Sequence, residues 1–173
     1  MLNGRSASEV RSARKETGMT QLALSMDLHT SREAVSKQEN GEYRVQPDMV
    51  KYFAESHNNP FVGMTAAAEY TGWGSGRLDG DDIDLHRSSV KCKAQEELQE
   101  ALIAINKTNL VNHPRKVEPF QFNDVKESVI QAMDAIIALN HYIAVICKEY
   151  SISWAEMWLT HRKKLISRGY MKG

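Results

Sequence analysis

The sequence predicts an all-α protein. Apolar residues recur at three- and four-residue intervals on both sides of the middle of the chain, the spacing that gathers them on one face of a helix. No stretch of useful length alternates apolar and polar residues as a half-buried strand would. Helix-opening residues precede the periodic stretches, and glycines follow several of them. The expected organisation is an N-terminal domain of four to five helices over 1–70, a linker over 71–87 and a C-terminal three-helix segment over 88–173.

The first helix is expected over 8–17, with Ser6-Ala7-Ser8-Glu9 as its capping sequence and Gly18 as its stop. Thr20 caps a second helix, Gln21 to Leu28. Thr30 caps a third, with Glu33 completing a capping box, and Asn40-Gly41, a pair that tolerates left-handed backbone, ends it. Pro47 suits a first helical turn and starts a fourth, Asp48 to about Ser56. Leu24, Leu28 and Val35 are spaced to lock the second and third helices together, and Ser25 is small where they would cross. Residues 71–82 then hold four glycines and three aspartates, which disfavour helix and strand alike. These glycines do not read as a phosphate loop, because no apolar strand precedes them and no Gly-Lys-Ser/Thr follows.

Beyond the linker, Val90, Ala94, Leu98, Ala101, Leu102 and Ile105 share one face of a helix over about 88–106. Residues 112–119 contain two prolines and read as a loop. Asn123 or Asp124 caps a long helix reaching about Tyr150. Along it Val129, Ala132, Ile136, Leu139, Ile143, Ile146 and Tyr150 follow a heptad-like spacing, and Met133, Ile137, Ala144 and Cys147 widen the apolar surface. A helix apolar over so much of its circumference is expected to be covered on more than one side. Ser153-Trp154-Ala155-Glu156 is a capping box for the last helix, which stops near Gly169.

Composition excludes several function classes. The 22 basic and 22 acidic residues cancel, which argues against coating nucleic acid by charge alone and against an acidic disordered chain. The cancellation is uneven: residues 1–60 carry 8 of each sign, 61–89 carry 2 basic and 5 acidic, and 90–173 carry 12 basic and 9 acidic. Cys92 and Cys147 lie far apart with no Cys-x-x-Cys partner, so neither a disulfide framework nor a zinc knuckle is readable. Six scattered histidines lack metal-ligand spacing and no Gly-x-Ser-x-Gly elbow occurs, so no metal, cofactor or enzymatic activity is expected. The N-terminus lacks the apolar run of a secretory signal. Residues 129–147 approach the length of a membrane span but include Gln131, Asp134, Asn140 and His141, which are costly in hydrocarbon. The expectation is a buried helix of a cytoplasmic protein with no membrane partner.

The most specific pattern lies between Arg11 and Ala54. Arg14 falls in the first helix, Thr20-Gln21 opens the second, and Ser25 is the small residue within it. Ser31-Arg32-Glu33-Ala34-Val35-Ser36-Lys37-Gln38-Glu39-Asn40-Gly41 follows, then Pro47. In these positions, over about a quarter of its length, the chain resembles the Cro/phage-repressor-type helix-turn-helix family. The resemblance implies that helix 30–40 lies in the major groove of double-stranded DNA with its N-terminal residues at base edges. Arg32 would read guanine O6 and N7 or hold a phosphate. Ser31 would reach a base or phosphate, or is simply a polar helix opener. Glu33 would accept from cytosine N4 or complete the Thr30 cap. Ser36 and Lys37 would touch bases or backbone, a solvated lysine being the alternative.

The same resemblance makes Gln21, Thr20 and Asn40 phosphate contacts, which position a domain without reading sequence, and makes Arg14 and Glu39 a structural ion pair. Three departures from the family pattern stand out. His29 replaces the usual turn glycine, Gln38 sits where an apolar residue packs and is expected to weaken the small core or tilt the third helix, and residues 42–46 form a slightly long loop.

The expected function is a sequence-specific, repressor-like transcriptional regulator, prokaryotic or phage- or prophage-encoded, cytoplasmic and nucleoid-associated. One such domain touches few base pairs, so a homodimer is expected. Val129, Ile136, Leu139, Ile143, Ile146, Trp154 and Trp158 are candidates for a dimer or core face, the alternative being a self-contained bundle. The basic run 161–164, with Arg168 and Lys172, suits DNA, an acidic partner or plain solvent. The aspartates between 79 and 84 would lie against that run or mimic a phosphate for the third helix. The competing function is a non-catalytic adaptor, antitoxin-like or polymerase-binding, that binds a protein partner through its C-terminal half.

Overall fold

The computed structural model describes residues 4–111 and 113–173, which hold eight α-helices and, among the described residues, no strand. These are α1 (Arg5–Glu16), α2 (Gln21–Asp27), α3 (Arg32–Glu39), α4 (Pro47–Lys51), α5 (Pro60–Thr71), α6 (Arg87–Lys107), α7 (Pro119–Glu149) and α8 (Trp154–Ser167). The all-α expectation holds. The compact units divide the chain differently from the expected 1–70, 71–87 and 88–173. One unit comprises the residues through Asp79 together with Ile146–Gly173, and the other is Gly80–Val145.

The first unit is built on small residues of α1. Ser6, Ala7, Val10 and Ala13 recur at helical spacing and are buried, and α5 packs along that face. Leu24 of α2, Val35 of α3, Val45, Met49 of α4, Phe53 and Val62 complete the core. The expected cap at Ser6 is displaced: α1 opens at Gly4 with a left-handed φ of 98°, and Ser6 lies inside the helix with its N–H donated to Glu69 at 2.9 Å. Pro47 occupies the first turn of α4 as expected, and the helix runs on into a π turn, Tyr52–Ser56. Tyr52 donates its hydroxyl to Asp27 at 2.6 Å, and burial with that bond pushes its pKa up to about 12.

The Gly/Asp-rich stretch is irregular but not free. Arg77 donates its backbone N–H to Thr65, pairs with Glu9 and stacks its guanidinium over Phe61, while Arg5 pairs with Asp79. Two of the aspartates have local partners instead of the basic run. Asp79 serves Arg5, and Asp84 accepts from the His86 N–H and the Ser89 hydroxyl at the start of α6.

The C-terminal helix joins this same unit. Asn58 carries a left-handed φ of 45°, and its side chain accepts from the Trp154 N–H at 2.9 Å and donates to the carbonyls of Ile152 and Cys147. Ser153 caps α8 as expected, accepting from the Glu156 N–H. Gly63 lets the helix approach closely: a Cβ there would stand 3.2 Å from the Trp154 ring. Of the two tryptophans expected on one dimer or core face with the α7 residues, Trp154 is half-buried against Gly63 in the first unit, and Trp158 stands edge to face with it at 6.2 Å but is 43% exposed. Lys148, in the last turn of α7, pairs with Glu16 at 3.0 Å.

The second unit is a helical hairpin. Lys107 at the end of α6 pairs with Asp124 near the start of α7 at 2.8 Å, and Thr108 reaches the Asp124 carbonyl. Asp124 is thus a partner of α6 rather than a cap, because α7 already begins at Pro119. The expected loop begins at residue 112, which lies outside the described residues, and its remainder holds a short 3-10 turn, Pro114–Lys116. Cover of α7 on several sides is not found: Val129 and Ile136 are exposed, Leu139, Ile143 and Ile146 half-buried, and fewer than a third of the residues in its most apolar stretch are buried. Among the described residues α7 is the one helix long and apolar enough to cross a membrane by length and composition.

Candidate nucleic-acid interface

The helix pair α2–α3 is held by caps and a tight turn. The Thr20 hydroxyl accepts from the Ala23 N–H at 3.1 Å, which leaves its own proton free to donate. Leu28–Ser31 forms the turn, with Thr30 N–H donated to the Ser25 carbonyl at 2.9 Å. His29 there adopts a left-handed φ of 49°, the conformation for which the turn would favour glycine. Ser25 is buried, as its small size at the crossing implied. The cap of α3 is Ser31, which accepts from the Ala34 N–H at 3.0 Å. This displaces the expected Thr30–Glu33 capping box by one residue, because Thr30 is consumed by the turn.

With α3 begun at Arg32, its buried and exposed sides follow from 100° steps. Val35, Gln38 and Glu39 are buried. Arg32, Glu33 and Asn40 are exposed and Ser36 and Lys37 half-exposed, all on the opposite side. The five form one contiguous polar face, with Ser31 exposed at its head. Within it Lys37 pairs with Glu33 at 2.8 Å and stands 5.1 Å over the Tyr43 ring. That pair lowers the Glu33 pKa and raises that of Lys37. Asn40 reaches the Ser36 hydroxyl at 3.5 Å. Arg32 has no hydrogen bond or ion pair among the described residues.

The back of α3 is anchored by a buried charge. Arg14 meets Glu39 with two bonds, 2.5 Å from Nε and 2.9 Å from Nη2, and Gln21 Nε2 donates a third at 2.9 Å. The Glu39 side chain has no exposed surface and Arg14 retains 11%. Burial works to raise the Glu39 pKa, but the hydrogen bonds from Arg14 and Gln21 and the Arg14 charge outweigh it, and the net direction is down. The Arg14–Glu39 geometry matches the structural pair expected of these residues. Gln21, expected at a phosphate, commits one of its two side-chain N–H groups to Glu39 and keeps the other.

Gln38 likewise has a partner the sequence concealed. It is buried, and its Oε1 accepts the Gln46 N–H at 2.7 Å where α4 begins. The glutamine thus ties the long 42–46 loop to α3, and Val45 from that loop enters the core. Arg44 stacks over Tyr70 at 4.5 Å on the same loop, and Tyr70 donates to the Val45 carbonyl. A spacing rule built on apolar positions does not register a buried amide whose partner lies across a loop.

Electrostatics changes once α8 is assigned. The first unit holds 15 basic and 12 acidic residues, net +3, and the second 7 and 10, net −3. The excess comes from Arg162, Lys163, Lys164, Arg168 and Lys172, all exposed and with no ion pair among the described residues. Among the described residues no group of three or more His, Cys, Asp or Glu side chains gathers as a metal site would require. No family model, curated protein or solved structure matches the chain.

Proposed function

We propose that this chain is a sequence-specific DNA-binding regulator of transcription, repressor-like, whose α3 enters the major groove. The observation that carries the reading is the exposed polar face of α3, headed by Arg32 with no partner of its own, on a helix whose back is pinned by Glu39 to α1 and α2. A forked guanidinium without an intramolecular partner loses none when it bonds guanine O6 and N7. Glu33 and Lys37 would exchange their mutual ion pair for bases or phosphates. Thr20, the amides opening α2 and Asn40 would hold backbone phosphates, with Gln21 chiefly positioning Glu39. The unpaired cations of α8 add phosphate contacts to a unit that already carries net positive charge.

Two copies acting on paired half-sites supply the specificity that one α3 lacks. Prokaryotic, phage or prophage origin and action in the cytoplasm belong to this reading through the resemblance in residues 11–54. The adaptor reading draws its support from the exposed apolar residues of the α6–α7 hairpin.

Selection of bound fragments from a random duplex pool, followed by fluorescence anisotropy on the selected duplex, tests the proposal. Arg32→Ala should weaken selected-site binding by about 1–3 kcal/mol while leaving random-duplex binding nearly unchanged. Replacing Lys163 and Lys164 by alanine should weaken both duplexes and flatten the salt dependence by roughly one unit of slope per lost contact. Recovery of no enriched sequence would refute the regulator and leave the adaptor.

A further inference from the structure

The α6–α7 hairpin leaves large apolar side chains in water. The inward seam of α6 steps by fours and threes through Val90, Ala94, Glu97, Ala101, Ala104 and Thr108, each buried or half-buried. Beside that seam Leu98, Leu102 and Ile105 share a second stripe, 46–52% exposed. On α7, Val125, Ala132 and Leu139 are half-buried, and next to them Val129, Met133 and Ile136 form a stripe 48–56% exposed. The buried positions are Val90, Ala94 and Ala101 on α6 and Ser128, Ala135 and Ala138 on α7. Advancing each helix by 100° per residue from them turns the first stripe about 40–100° and the second about 110–170° toward one side of an antiparallel pair, the α7 stripe facing further outward. None of these six side chains is charged, although the unit around them carries 17 charged residues. Depletion of charge at the centre of a patch with charges around it is the composition of an interface core.

We infer that a second copy of this chain docks on this face, two hairpins closing into a four-helix bundle about a two-fold axis. The area supports that occupant. Six large apolar side chains with about half of their surface in water amount to roughly 500 Å², at the upper end of what a soluble monomer leaves exposed in one patch. With the half-buried neighbours and a polar rim the contact approaches the ~800 Å² per partner of a stable interface. A bilayer is the rival occupant, since α7 is long and apolar enough to span one. It fits less well: Gln131, Asp134, Asn140 and His141 interrupt α7, and α6 carries Glu96, Glu97 and Glu100. The inference deepens the pairing proposed above by naming its surface, and it is tested without DNA so that its failure is distinct from failure of DNA reading.

The experiment is analytical ultracentrifugation of the full chain at micromolar concentration, alongside Leu102→Asp and Ile136→Asp, with far-ultraviolet circular dichroism on each. The expected result is twice the 19.6 kDa chain mass for the parent. Each variant should keep its helical signal and dissociate, its dimer constant raised by about thirtyfold or more. A variant that loses helical signal is replaced by the milder Leu102→Asn or Ile136→Asn, read in the same way. A monomeric parent overturns the inference, as does a dimer that survives both substitutions. A parent that floats with phosphatidylcholine vesicles as a monomer overturns it in favour of the bilayer.

Discussion

Arg14→Met is the substitution that most directly probes how α3 is held. It removes both bonds from Arg14 to the Glu39 carboxylate and the bond from Arg14 Nη1 to the Met19 carbonyl at 2.7 Å, leaving Gln21 as the remaining donor to a carboxylate with no exposed surface. Breaking a buried pair from one side costs about 3–5 kcal/mol, against 0–1 kcal/mol for a surface pair. Glu39→Gln added to the variant removes the stranded charge and should restore much of the loss, so the double-mutant cycle should show coupling of roughly 2 kcal/mol. Urea unfolding followed by tryptophan fluorescence reads this cleanly. Trp73, Trp154 and Trp158 are the three tryptophans of the chain and all lie in the first unit, so the signal reports that unit's unfolding.

The pH dependence carries a second signature of the same pair. Glu39 has a folded pKa below the ordinary 4.5, so its contribution is complete above that value and is lost as pH falls through the depressed one. Without Arg14, burial dominates and raises the Glu39 pKa above the ordinary value. The variant's deficit is then largest at neutral pH and shrinks as acid protonates the carboxyl. A loss below about 1 kcal/mol, or single-substitution losses that simply add, would refute a buried, coupled anchor.

Three further outcomes follow from the same structure. Gly63→Leu forces side-chain atoms past a position already 3.2 Å from Trp154, so it should cost about 1–3 kcal/mol and shift tryptophan emission to the red as α8 lifts; unchanged emission would refute the close approach. Asn58→Ala deletes one accepted and two donated bonds at the start of α8 and should cost about 1–3 kcal/mol by the same urea assay; unchanged stability would refute the tie. Cys92 is exposed and Cys147 buried, with its thiol pKa pushed up by burial, so a thiol reagent should modify one cysteine in the native chain and both after denaturation. Rapid native modification of both would contradict the packing around Cys147.

Local chemistry was legible in proportion to how few residues it involves. Thr20 and Ser153 each cap the helix that follows them, and Pro47 opens α4, because a cap or a first-turn proline acts within three or four residues. Where two candidates lie within that reach, the sequence points to Thr30 and Ser6, and the structure displaces both. Ser31 rather than Thr30 caps α3 because the turn takes Thr30, and Ser6 lies inside α1 because Gly4 supplies the left-handed entry. The candidate residues of the α3 face came with the resemblance in residues 11–54, but the partners of Gln21 and Gln38 did not. Their bonds cross to α3 and to the long loop, and no rule of spacing connects Gln21 to Glu39 or Gln38 to Gln46.

By itself the sequence determined the all-α class, the approximate span of most helices, the polar character of the α3 face and the pairing expected of Arg14 with Glu39. It did so because these depend on periodicity, on caps and on a recognisable run of residues. Tertiary structure alone decided where the charge lies. Asn58 meets α8 across 96 residues, and Gly63 admits the Trp154 ring. With that C-terminal stretch come the cations that turn an N-terminal part with 9 basic and 10 acidic residues into a unit of net +3. The zero total survives, but it is divided between two bodies by contacts between residues too distant in sequence for any local pattern to record.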